Sequence, residues 1–80
     1  MKREWAPAYR LRKATLTNDE LRRSLELAEE AISVDPFHRD QRLELDGAVF
    51  DANEQGLAVS YRVDSDGTIL FITFSHLWNR

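Results

Sequence analysis

His38 and His76 are the only histidines in this 80-residue chain, and their imidazoles are the side chains best suited to proton transfer near neutral pH. Thirty-eight positions apart, they do not make a metal-ligand pair without carboxylate help. His76 follows an apolar stretch, so it reads either as an acid–base group or as a surface histidine at a strand end. Arg62 lies in an alternating segment where its side chain should leave the sheet opposite Val59, Tyr61 and Val63. A guanidinium there can clamp a phosphate bidentately, or pair with an acidic neighbour such as Glu44. His38 and Arg39 follow Pro36 in an expected loop, where charges are commonly just solvated. Arg80 offers a further cation. Trp78 sits among polar residues after the apolar run and has three readings: a stacking platform for a base, an anchor for a protein partner, or a cap folded back on the core. No Gly-rich phosphate loop, metal-binding motif or Ser/Cys nucleophile signature is present, so neither a cofactor nor a metal is expected.

Length and charge narrow the classes. Eighty residues support one domain, 1–80, with a stability of roughly 4–12 kcal/mol. Cysteine is absent, which removes disulfides and thiolate sites and suits a reducing compartment. The longest apolar run, Ile69 to Ile72, is too short to cross a bilayer, and the charged N-terminus lacks an apolar segment after it. A cytoplasmic protein with no membrane partner is therefore expected. The net charge of −3 argues against a whole-molecule attraction to nucleic acid. Yet residues 1–23 carry seven basic and three acidic side chains, against four and eleven in residues 24–80. Such a basic end can bind RNA locally or dock on the chain's own acidic groups.

These residues must be positioned by a helix and a sheet. Leu21, Leu25, Ala28 and Ile32 recur as one apolar stripe, predicting a helix from Asn18 to Ser33. Arg22, Glu26, Glu29 and Glu30 fall on its wet face, and Pro36 stops it. Thr17 with Glu20 has capping-box spacing, flanked by Leu16 and Leu21 as a staple. Arg42 to Asp46 alternates into Gly47 and reads as a strand that Ala48-Val49-Phe50 can extend. Asn53 to Gly56 reads as a turn. Residues 57–63 and 68–74 form a hairpin around Asp64-Ser65-Asp66-Gly67. In its second strand Ile69 and Phe71 are assigned to one face, and Leu70, Ile72 and Phe74 to the other. Trp5-Ala6-Pro7 reads as a strand end with proline at a helix start, and Ala8 to Leu16 is then either a short basic helix, the favoured reading, or a strand. The class is α+β: N-terminal helix or helices on a three- to four-stranded antiparallel sheet.

Trp5-Ala6-Pro7-Ala8, Ser33-Val34-Asp35-Pro36, and Tyr61-Arg62-Val63-Asp64 leading past Gly67 to His76-Leu77-Trp78 resemble, in that order, segments of the RelE/ParE toxins of type II toxin–antitoxin systems. The resemblance implies a RelE/ParE-like fold, a cognate antitoxin as partner, and a target in mRNA on the ribosome or in a topoisomerase. Ribonuclease members of the family cut mRNA by attack of the 2′-hydroxyl on the adjacent phosphate. That chemistry needs a base, an acid and cations for the developing charge. By resemblance, His76, Arg62 and Arg80 take the catalytic roles, and Trp78, Arg39 and His38 contact RNA or a partner. The alternative is a non-catalytic interaction module on the same fold, a topoisomerase binder or a decayed toxin that still holds its antitoxin. The chain departs from the family pattern in being acidic, in stopping at Arg80, and in an apparently shortened middle strand.

Overall fold

The computed structural model describes residues 2–45 and 47–76. In chain order the elements are β1 (Arg3–Trp5), α1 (Pro7–Ala14), α2 (Asp19–Val34), β2 (Asp40–Glu44), β3 (Gly47–Glu54), β4 (Leu57–Val63) and β5 (Ile69–His76). They make one five-stranded sheet ordered β1-β5-β4-β3-β2, with both helices packed on the same face. The α+β class holds, but the sheet is larger than expected and mixed, because β1 runs parallel to β5. None of the described helices is long and apolar enough to cross a membrane.

Local chemistry accounts for each boundary. Pro7 opens α1 at a position whose N–H has no helical partner anyway, and Arg12 and Lys13 occupy its last turn, where cations suit the helix dipole. The cap of α2 is not the Thr17–Glu20 box. Asn18 serves instead, its side-chain oxygen accepting from Leu21 N–H at 3.1 Å. The helix then runs to Val34, the last residue that Pro36 allows.

Residues 48–50 do not lengthen a preceding strand. They belong to β3, an eight-residue strand that turns back on β2 with Glu44 opposite Gly47. The middle strand is therefore not shortened. Asn53 and Glu54 are inside β3 as well, leaving only Gln55 and Gly56 to turn, with φ of 54° and 76°. Two consecutive positive φ values match the tight hairpin turn whose twist suits the flanking strands.

The assignment of faces in β5 also changes. Tyr61 pairs with Phe71, whereas Ser60 pairs with Thr73, so Ile72 is an extra residue in the ladder. This bulge resets the alternation and brings Phe74 to the same face as Ile69 and Phe71. These three join Leu57, Val59 and Tyr61 of β4, Phe50 and Ala52 of β3, and Tyr9, Leu25, Ala28 and Ile32 of the helices in one core.

Candidate functional site

The most concentrated chemistry lies where β1, α1 and α2 meet. Trp5, Tyr9 and Lys13 recur every four residues, which lines them along one side of α1 and its lead-in strand. Glu29 of α2 receives all three. Its Oε2 accepts from Tyr9 Oη at 2.7 Å and Trp5 Nε1 at 3.1 Å, and its Oε1 pairs with Lys13 Nζ at 2.9 Å. The residue is only 2% exposed, so its assignment to the wet face is wrong. The physical reason was in the spacing: Glu29 stands four residues after Leu25 and three before Ile32, squarely within the stripe. A buried carboxylate requires donors, and α1 provides them.

This arrangement fixes geometry and is poorly disposed to proton transfer. Three donors hold the carboxylate in place. Burial, reinforced by the hydrogen bond to Glu29, pushes the Tyr9 hydroxyl far above its ordinary range. The outer rim is an open groove between α1 and α2 in which Arg3, Arg22 and Arg23 alternate with Asp19, Glu26 and Glu30. Mixed charge of this kind favours neither an anion nor a cation.

Three of the seven basic side chains in residues 1–23 are spent on the protein itself. Arg12 donates to the Phe74 carbonyl and stacks over the Phe74 ring at 4.6 Å, Arg22 donates to the Leu16 carbonyl, and Lys13 holds Glu29. Arg39 behaves alike. It is no solvated loop charge: its guanidinium bonds the Glu54 carboxylate and reaches the Ala31 carbonyl at 3.5 Å, tying α2 to β3. His38 is exposed beside Asp35, with 2.7 Å between Nδ1 and Oδ1. Tyr61 packs inward as expected and donates to the Pro36 carbonyl at 2.6 Å; burial raises its hydroxyl to about 12.

His76 and Arg62 are not brought together. His76 pairs with Leu57 at one end of the β4–β5 ladder and lines a cleft with the capping Asn18 and with Leu21 and Ser24 of α2. Arg62 is five residues further along β4, roughly 16 Å away at strand rise, on the opposite face. Nor does Arg62 neighbour Glu44, because β3 lies between their strands and Arg42 holds Glu44 at 3.0 Å. Trp78 and Arg80 lie outside the described residues. Among the described residues no group of three or more His, Asp or Glu side chains is placed to hold a metal ion.

Compared with family models, curated proteins and solved structures, the chain matches none.

Proposed function

We infer that this chain is a RelE/ParE-type protein of a toxin–antitoxin pair, acting in the cytoplasm as a non-catalytic interaction module. Its partner is a cognate antitoxin, or a topoisomerase in the manner of ParE. The succession of an opening strand, two helices and antiparallel strands supports the family reading. The observation that supports binding rather than cleavage is the placement of His76 and Arg62 at opposite ends of β4–β5 and on opposite faces of the sheet. In-line attack on a phosphodiester needs acid, base and cation within a few ångströms of one phosphorus. Four cations, Arg12, Lys13, Arg22 and Arg39, are engaged in contacts within the chain instead.

Expression of the chain with and without the product of the adjacent reading frame tests this. Tight co-purification without mRNA cleavage is the expected result. Growth arrest with RNA cleavage, abolished by His76→Ala, would replace it with the endoribonuclease reading in which His76, Arg62 and Arg80 surround the phosphate. Failure of the two products to associate would remove the toxin–antitoxin assignment.

A further inference from the structure

The outer strand β2 is exposed at all five residues. It lies beyond the helical cover, since α2 packs across β3 and β4 and α1 packs on β5. Leu43 is 88% exposed and Leu45 106% exposed, the two most exposed large apolar side chains among the described residues. An uncovered strand edge with apolar side chains beside it is a template for another strand. The opposite edge, β1, is only three residues long.

We propose that β2 pairs antiparallel with β2 of a second copy of this chain, across a twofold axis at Leu43, to form a continuous ten-stranded sheet.

The register follows from symmetry and charge. A twofold axis normal to the sheet places one residue opposite its own copy, so the choices are few. Centring on Arg42 sets Asp40 against Glu44 of the second copy, and centring on Glu44 sets two carboxylates face to face; both are repulsive. Centring on Gln41 pairs only residues 40–42 within the strand and leaves Leu43 and Leu45 in water. Centring on Leu43 sets Leu43 against Leu43, Arg42 against Glu44 in both directions, and Gln41 against Leu45, with the one acidic pair, Asp40 against Asp46, falling past the end of β2 at Glu44.

Backbone geometry accommodates this register. Glu44 and Gly47 flank the two residues linking β2 to β3, so they form a mutually hydrogen-bonded pair, and Arg42 and Asp40 follow suit toward β3. Gln41 and Leu43 then turn their N–H and C=O groups to the free edge, where a strand centred on Leu43 requires them. On one face the apolar side chains come together. On the other, Arg42, which bonds its own Glu44 at 3.0 Å and its own Asp51 at 3.2 Å, gains Glu44 of the second copy.

Light scattering on the purified chain at micromolar to submillimolar concentration tests the proposal without any antitoxin, so its outcome is separate from the functional reading. A dimer mass is expected. Leu43→Lys and Arg42→Glu should each weaken dimerisation by on the order of tenfold or more, a loss of about 1.4 kcal/mol. The double variant Arg42→Glu/Glu44→Arg should regain it, since the opposed pairs are then complementary again. Circular dichroism confirms that each variant is folded, as exposed positions allow. A monomeric wild-type chain overturns the proposal. So does a dimer indifferent to Leu43→Lys, or a charge-swapped variant that stays as weak as Arg42→Glu.

Discussion

The seam around Glu29 and the edge around Arg42 are built from the same chemistry, a glutamate and a cation 2.9–3.0 Å apart, yet they do opposite work. In the seam, Trp5, Tyr9 and α2 bury Glu29, while Lys13 stays 23% exposed at the groove's rim, so the donors converge on one dry carboxylate. At the edge, Arg42, Glu44 and Asp51 are solvated, share one guanidinium, and keep their strand wet. Ion pairing therefore says little about importance until burial is known. A dry pair fixes how elements meet; a wet one leaves a surface open to a newcomer.

Removing Glu29 is the sharpest way to break the contrast. Glu29→Ala strands the Lys13 ammonium, the Tyr9 hydroxyl and the Trp5 N–H, and should cost roughly 3–5 kcal/mol in urea unfolding. That is a large part of the total for a chain this size. Tyr9→Phe removes one donor while keeping the ring against Phe71 and Phe74, and should cost roughly 1–3 kcal/mol. Arg42→Ala, measured at dilutions that keep the chain monomeric, should change stability by less than about 1 kcal/mol. Equal losses at Glu29 and Arg42 would erase the distinction between dry and wet pairs.

Titration sharpens the same comparison. The chain has two tyrosines, Tyr9 and Tyr61, and both have raised hydroxyl pKa values in the fold. The folded state therefore holds its phenolic protons more tightly than the unfolded chain does. The stability this gives is complete below the ordinary tyrosine value of 10 and is lost as pH rises toward 12. Absorbance near 295 nm should show no phenolate step at 10, only ionisation accompanying unfolding. A normal step at 10 would mean that one ring is wet. At the acid end the effect is smaller. Asp66 accepts from Thr68 N–H at 2.9 Å, which lowers its carboxyl pKa. Its contribution is present above the ordinary aspartate value and fades as pH falls through the folded one. Asp66→Asn should flatten that acid limb slightly in pH-dependent unfolding.

Periodicity carried α2 and the β4–β5 hairpin, because a single apolar stripe and a one-sided alternation each admit one arrangement. It did not reveal the parallel partnership of β1 with β5, since two short segments 66 positions apart leave no local trace of pairing. The bulge at Ile72 is hidden for a related reason: the continuous apolar run from Ile69 to Ile72 looks the same whether or not one residue is skipped. Glu29 was legible and misread, its charge outweighing a position that spacing placed inside the stripe. Of the site residues, Arg39 was named for its cation, but its role as an internal strut depends on Glu54 and Ala31, which only folding brings near.

The pairing of Arg3 with Ile69 means that the sheet cannot be finished while the chain is half made. At ordinary elongation rates, roughly 3–13 s separate synthesis of the first strand from that of its partner. During that interval Trp5 and Tyr9 have no Phe71 to rest on, and the nascent chain exposes aromatic surface.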